Sequence, residues 1–135
     1  DGELLCKELL GQGVLLYARI GSSLIPGVGK PKDADFLLLV NDLTAMRDRL
    51  FKDVDATLCG AYGGTVDSST DWLSMRVGHV NLIITASKVW YERCLQASEV
   101  CVLLNLNHKI DRIRVYRVVR DGLSAESALR VSLDE

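Results

Sequence analysis

The sequence is poor in the residues that build metal clusters and disulfide frameworks. It holds four cysteines without C-x-x-C spacing, two histidines and two prolines among 135 residues. A zinc site is not expected, because structural zinc needs four closely spaced thiolate or imidazole ligands. Cys94 and Cys101 lie in a helical pattern, which predicts small buried thiols on one helix face. We therefore expect reduced, structural cysteines.

Two further absences bear on location. The apolar runs are short, as in Phe36 to Val40, and none approaches the roughly 18 residues that a membrane span needs. No signal-peptide pattern is recognised. A formal net charge of -2 gives no overall field that would attract nucleic acid or an anionic membrane. We expect a cytoplasmic protein without membrane contact, in which any polyanion binds at a local patch.

Length and composition predict one folded domain. Hydrophobic residues make up 48% of the chain and charged residues 25%, as in ordinary globular proteins. A chain of this length can bury roughly two thirds of its unfolded surface. We predict a single domain over residues 1–135, with a sheet core in 1–86 and a helical part in 87–135.

Hydrophobic periodicity predicts a mixed α+β fold. Residues 14–20 are bounded by glycines and rich in strand-forming side chains. Residues 34–40 are apolar on both parities, which is typical of a central strand covered on both faces. One helical stripe precedes the first strand, and another follows the second with Asn41 or Asp42 as its cap. We predict a small mixed sheet with helices packed on one face and further helices at the C-terminus.

The second part of the chain predicts a hairpin followed by helices. Residues 56–71 indicate a strand fragment and an exposed loop. A two-residue Gly-His turn would then place Arg76 directly opposite Asn81. After a cap at Ser87, apolar residues recur every three or four positions, which predicts a long helix. Shorter helical pieces follow, and Gly122 ends the first of them.

The stretch "GSSLIPGVGKPKDADFLLLV" combines residues suited to phosphate and metal. It opens with the turn Gly21, Ser22 and Ser23, directly after the first strand. Glycine lets the backbone approach a phosphate, while hydroxyl and N–H groups donate hydrogen bonds to it. Lys30 and Lys32 can neutralise further phosphate charge, although loop lysines are usually only solvated.

Asp33 and Asp35 are candidate ligands for divalent cations. Two residues apart on an extended strand, their side chains point to the same face with α-carbons about 7 Å apart. Two Mg²⁺ ions about 4 Å apart can bridge a triphosphate, polarising the transferred group and activating the attacking oxygen. A D-x-D pattern also occurs by chance, and alone it marks surface residues more often than ligands. A Walker-type phosphate loop is excluded, because proline follows the lysine of "GVGKP" where that loop needs Ser or Thr.

The order of these motifs resembles the minimal nucleotidyltransferase family, the DNA polymerase beta superfamily. The family's signature is a strand ending in G-[GS], a spacer, and D-h-[DE]-h leading an apolar strand, where h is hydrophobic. "IGSS" and "DADF" match it in type and order, within residues 20–40. More loosely, "VNLIIT" and "LNLNHKIDRI" resemble stretches of small nucleotidyltransferase-like proteins of tailed bacteriophages.

The resemblance implies a site for a nucleoside triphosphate (NTP) and Mg²⁺, or alternatively Mn²⁺. In it, Asp33 and Asp35 would bind the metals. The family's third carboxylate, a ligand or base for the acceptor hydroxyl, is matched here by Asn81. An amide oxygen can ligate a cation but cannot deprotonate an acceptor. The candidate phosphate-binding residues are Gly21, Ser22, Ser23, Lys30, Lys32 and Arg76.

Two hypotheses about function follow. The first is transfer of a nucleoside monophosphate from an NTP to an acceptor hydroxyl on RNA, a protein or a small molecule. The second is a catalytically inactive binding protein of the same fold, for example a phage product that engages a host protein. Asn81 favours the second hypothesis and the paired aspartates favour the first. An interaction domain with an accidental motif, and a homo-oligomer, also remain open.

A basic series near the C-terminus is a weaker signal. As one helix it spreads over more than one face, which favours a solvated or subunit-contacting surface. A nucleic-acid groove with Tyr116 as a stacking side chain is the alternative. The series comprises Lys109, Arg112, Arg114, Arg117 and Arg120.

Overall fold

A five-stranded mixed sheet forms the centre of the computed structural model, which describes residues 1–28, 34–62 and 72–130. The strand order is β1-β2-β5-β4-β3; β2 runs antiparallel to β1 and parallel to β5, and the other neighbours are antiparallel. This confirms the predicted α+β class. The elements are α1 Gly2–Leu9, β1 Val14–Ile20, a short 3-10 helix Ser22–Leu24, β2 Ala34–Val40, α2 Leu43–Asp53, β3 Thr57–Tyr62, β4 Trp72–Val77, β5 Val80–Thr85, α3 Lys88–Leu103, α4 Lys109–Val119 and α5 Ala125–Leu129.

Local capping and turn signals set several of these boundaries. The Asp42 side chain accepts a hydrogen bond from the backbone N–H of Ala45 at the start of α2. Ser87 accepts from the N–H of Trp90 at the start of α3. Each cap satisfies a backbone donor that has no partner within the helix. The turn between β4 and β5 has Gly78 at a φ of 60°, which glycine adopts without strain.

The central strand β2 has apolar side chains on both of its faces. Phe36, Leu38 and Val40 belong to a core that includes residues of α1 and α2. Leu37 and Leu39 point to the opposite face and pack with residues of α3. Strand β2 is therefore covered on both sides, as its apolar pattern predicts. The helical contributors are Cys6, Leu9, Met46 and Leu50 in the first core and Trp90, Tyr91 and Cys94 in the second.

The helices are divided between the two faces of the sheet. Helices α1 and α2 cover one face of the sheet, and α3 covers the other. The physical reason is the double-sided apolar character of β2, since a single helical layer would leave one apolar face in water. The further helices at the C-terminus are confirmed: α4 packs on α3, and α5 packs on α4.

Three further sequence predictions concern a strand fragment with its loop, the cysteines and membrane-spanning helices. Strand β3 confirms the strand fragment expected within residues 56–71, whereas the loop expected after it lies outside the described residues. Cys94 and Cys101 are buried free thiols, as expected, while Cys59 is exposed. Across residues 1–28, 34–62 and 72–130, no helix is long and apolar enough to cross a membrane.

Truncation of Leu38 should reveal how strongly the sheet depends on its central strand. Leu38 is 0% exposed, so Leu38→Ala should lower the free energy of unfolding by about 2–5 kcal/mol through lost burial and a residual cavity. Leu15→Ala is the matched control, because Leu15 is 51% exposed on the edge strand β1. Urea unfolding measures both variants. Equal losses would contradict the packing described above.

Candidate functional site

The strand register gathers the candidate polar residues into one row. Ile20 pairs with Asp35, Asp35 with Asn81, and Asn81 with Arg76. Directly paired residues on neighbouring strands project to the same face of a sheet. The expected opposition of Arg76 and Asn81 is thereby confirmed. The row lies on the face that carries α3, because Asp35 alternates in phase with Leu37.

Asn81 forms a direct hydrogen bond with the candidate metal ligand. Its Nδ2 donates to Oδ1 of Asp35 over 3.1 Å. An amide presents both a donor and an acceptor, and the orientation assigned to it follows from this hydrogen bond. A cation beside Asp35 would require the amide to turn its carbonyl oxygen toward the ion. Among the described residues, position 81 thus supplies an amide where the resemblance to the nucleotidyltransferase family implies a carboxylate.

Gly21 lies directly against the Asp35 carboxylate. A Cβ atom added at Gly21 would overlap Oδ2 of Asp35, and the φ of Gly21 is 90°. Both facts require glycine, since L side chains rarely adopt this backbone conformation. The backbone N–H of Gly21 donates to Oγ of Ser98 over 3.4 Å, which links the turn to α3.

The two serines of the turn have different surroundings. Ser22 begins the short 3-10 helix and lines the cavity beside Gly21. The Ser23 hydroxyl accepts from Nε of Arg19 at 3.3 Å and does not line that cavity. Ser22 is therefore the hydroxyl available to a ligand there. The candidates Lys30, Lys32 and Asp33 lie outside the described residues.

A cavity of about 370 Å³ separates this turn from α4. Gly21, Ser22 and Asp35 line it on the sheet side, and cationic side chains of α4 line it on the other. Asn81 and Arg76 are not among its lining residues. The remaining lining residues are Ile20, Ile25, Ile83, Ser98, Cys101, Lys109, Arg112, Ile113, Tyr116, Arg117 and Arg120.

Most of the basic series lines the cavity, a placement that the sequence did not indicate. Lys109, Arg112, Arg117 and Arg120 line the cavity. Their spacing matches one broad helix face once Arg114 is left out. Arg114 points elsewhere: its Nη2 donates to the Leu129 carbonyl at 3.2 Å. Tyr116, the expected stacking residue, also lines the cavity.

Burial disfavours the charged forms of Tyr116 and Cys101, which both line the cavity. It raises the pKa of Tyr116 well above the ordinary range, and a hydrogen-bonding interaction with Ser98 opposes this only in part. Burial also raises the pKa of the Cys101 thiol, against the attraction of the Arg112 charge. Burial therefore disfavours the deprotonated form of both groups, which for a thiol is the nucleophilic form. Asp35 on one side and the cations of α4 on the other supply the charge of the cavity.

Sequence reasoning missed Ser98 and the contribution of α4. Ser98 is 5% exposed and sits on a helix far along the chain from the turn that it contacts. The sequence signal for Ser98 was a serine within the apolar stripe of a helix. Such serines are also common where helices merely pack together. Within the described ranges, no three His, Cys, Asp or Glu side chains cluster to hold a metal.

A solved structure matches this architecture. It is titled "Crystal structure of conserved protein GrpB from Enterococcus faecalis", and the match has a TM-score of 0.56 at 14% identity, covering 96% of this chain and 81% of that one. The two chains thus share a mixed α+β architecture. At this identity the likeness concerns the fold alone. No family model matches the chain, and a comparison with curated proteins finds no match.

Substitution of Gly21 should disturb the turn more than its backbone angle alone explains. Gly21→Ala adds a Cβ atom that overlaps the Asp35 carboxylate, whereas a Cβ at Gly11, with a φ of 78°, meets nothing within 4 Å. Gly11→Ala should cost about 1 kcal/mol of unfolding free energy from backbone strain. Gly21→Ala should cost more, and the amide of Gly21 should exchange faster. If both variants lowered the melting temperature and changed amide exchange to the same extent, the close approach of Gly21 to the Asp35 carboxylate would be contradicted.

Proposed function

We propose that this protein binds an NTP with Mg²⁺ or Mn²⁺ in the cavity and transfers a nucleoside monophosphate to an acceptor hydroxyl. The observation that supports it best is the opposition of two features across one cavity. The Gly21–Ser22 turn and Asp35 lie on the sheet side, and four cationic side chains lie on α4. This arrangement suits a polyanion that carries a divalent cation.

The phosphate groups would lie between the turn and α4. Arg112 and Arg117 present planar guanidinium groups that can bind phosphate oxygens through two hydrogen bonds each, and Lys109 adds a mobile point charge. Ser22 offers a hydroxyl from the opposite side. The apolar side chains Ile25 and Ile83 complete the lining and suit the less polar part of a nucleotide. The cavity volume is at the lower end of ordinary ligand sites.

The residues present fit one hard cation beside Asp35. Its carboxylate and the carbonyl oxygen of Asn81 are ligand types that Mg²⁺ accepts, and Mg²⁺ keeps several waters in such sites. Asp33, two residues earlier in the chain, would supply a second carboxylate. When bound, the cation neutralises charge on the triphosphate.

The reaction would be an in-line displacement. The acceptor oxygen forms a bond to the α-phosphorus, the bond to the bridging oxygen of the β-phosphate breaks, and pyrophosphate leaves. The proton of the acceptor is finally released to solvent, and Asn81 has no group that can accept it on the way. The protein contributes positioning through Gly21 and Ser22 and charge stabilisation through α4.

The hydrogen bond between Asn81 and Asp35 favours a second candidate function. The Asn81 amide occupies Oδ1 of Asp35, the proposed metal ligand, and adds no negative charge to the site. A chain with this arrangement can retain the fold and bind a partner without catalysis. In that case the protein is a binding protein, consistent with the looser phage resemblance, whose partner would be a host protein.

Calorimetric titration of the four NTPs in Mg²⁺ tests the proposed site. The native chain should bind at least one NTP only when the metal is present, and Asp35→Asn should weaken that binding at least tenfold by removing the charged ligand. Asp48→Asn is the matched control, because Asp48 lies on α2 with its side chain 64% exposed and pairs with Arg47. The control should bind like the native chain. No metal-dependent binding by the native chain would sink the proposal.

Asn81→Asp separates the two candidate functions. It places a carboxylate directly opposite Asp35, so without metal the variant should unfold at a lower temperature because like charges repel. Added Mg²⁺ should reverse this loss and raise the melting temperature more than in the native chain. Labelled-NTP transfer assays then decide. Transfer by the native chain supports the enzyme, and transfer by the variant alone supports the inactive binding protein.

A further inference from the structure

Arg120 differs from the other cations of the cavity in its surroundings. Its guanidinium carbon lies 5.3 Å from the ring centroid of Trp72 and 5.2 Å from those of Trp90 and Tyr116. The two tryptophan rings stack on each other with centroids 5.1 Å apart. The Arg120 side chain is 16% exposed, whereas that of Arg117 is 37% exposed. Arg120 is thus enclosed by aromatic rings.

Asp121 engages the same guanidinium group. Nε of Arg120 donates to Oδ1 of Asp121 at 2.9 Å, and Nη2 donates to Oδ2 at 3.1 Å. Burial by itself lowers the pKa of Arg120, but the hydrogen bonds and charge of Asp121 raise it overall. The charge of Arg120 is therefore permanently present and locally compensated. Arg117 approaches the same carboxylate only to 3.8 Å, so Arg120 has less to offer an incoming phosphate than Arg117.

The rings around Arg120 belong to three different elements. Trp72 lies on β4, Trp90 on α3 and Tyr116 on α4. Helix α4 has no buried residue of its own and packs mainly against α3. Arg120, at the C-terminal cap of α4, therefore supplies a contact between this end of the helix and Trp72 of the sheet.

We propose that Arg120 is a positioning residue that fixes α4 over the cavity, rather than a ligand of the bound anion. By holding the end of α4 against Trp72 and Trp90, it keeps Tyr116 and Arg117 at the cavity wall. The role in nucleotide binding rests on the proposed function; the role in fixing α4 does not. Planar stacking and two parallel hydrogen bonds demand a guanidinium, which an ammonium group cannot replace.

The test compares lysine and glutamine at two positions of α4. Arg120→Lys keeps the charge but loses the stacking and the paired hydrogen bonds, so it should weaken Mg²⁺-NTP binding about as much as Arg120→Gln, roughly tenfold. At position 117, Arg117→Lys should retain more affinity than Arg117→Gln, because there the charge itself contacts the anion. Arg130→Gln is the control, since Arg130 is exposed at the C-terminal cap of α5 and pairs with Glu126.

Salt dependence gives an independent reading of the same variants. Removal of a direct phosphate contact lowers the slope of log affinity against log salt, as expected for Arg117→Gln. Arg120→Lys should keep the native slope while its affinity falls. Native-like affinity in Arg120→Lys, together with weak binding and a reduced slope in Arg120→Gln, would overturn the inference and make Arg120 a ligand.

Two measurements without nucleotide keep the inference separate from the proposed function. In Arg120→Lys, the near-ultraviolet circular dichroism of the stacked tryptophans should differ from that of the native chain. The amides of α4 should exchange at least several-fold faster than in the native chain, whereas those of α2 should exchange at the native rate. Unchanged dichroism and unchanged exchange would refute the positioning role. A native chain that binds no NTP would refute the proposed function alone, and these two measurements would still decide the role of Arg120.

Discussion

The position of β2 between an antiparallel and a parallel neighbour is the constraint on which the candidate site depends. It brings Asp35 beside Asn81 on one side and beside the end of β1 on the other. A slip of one residue would turn Asp35 to the opposite face of the sheet. Leu37 and Leu39 prevent such a slip, because both are buried against α3. Apolar packing therefore determines where the carboxylate lies.

The charges around this strand favour binding of an anion over collection of several cations. Across three strands the row runs from Asp35 through neutral Asn81 to cationic Arg76. Across the cavity from Asp35, α4 contributes further positive charge. A divalent ion entering this site meets one carboxylate among the described residues, whereas a triphosphate meets several donors. A cation carried in by the triphosphate fits this distribution better than one bound beforehand, since the anion brings most of the negative charge.

Sequence reasoning predicted what depends on neighbouring residues. The bounds of β1 and β2, the caps of α2 and α3 and the opposition of Arg76 and Asn81 all follow from local pattern and turn chemistry. Coverage of both faces of β2 followed from its apolar pattern, but which helix covers which face did not, because an amphipathic pattern does not specify the face that a helix covers. The contact between Gly21 and Ser98 spans 77 residues and depends on packing that no local pattern encodes. The position of the basic series beside the cavity did not follow either, since Arg114 obscures the face that the other four residues share.

The cations of α4 repel one another, and this repulsion lowers the stability of the folded chain unless other interactions offset it. Four of them share one cavity, and their mutual repulsion is greatest where low-dielectric walls reduce screening. Asp121 relieves part of it through its close pairs with Arg117 and Arg120. The aromatic rings around Arg120 relieve more, because their negative faces attract the guanidinium. A bound polyanion would remove much of the remaining repulsion, so ligand binding and the attachment of α4 should stabilise each other.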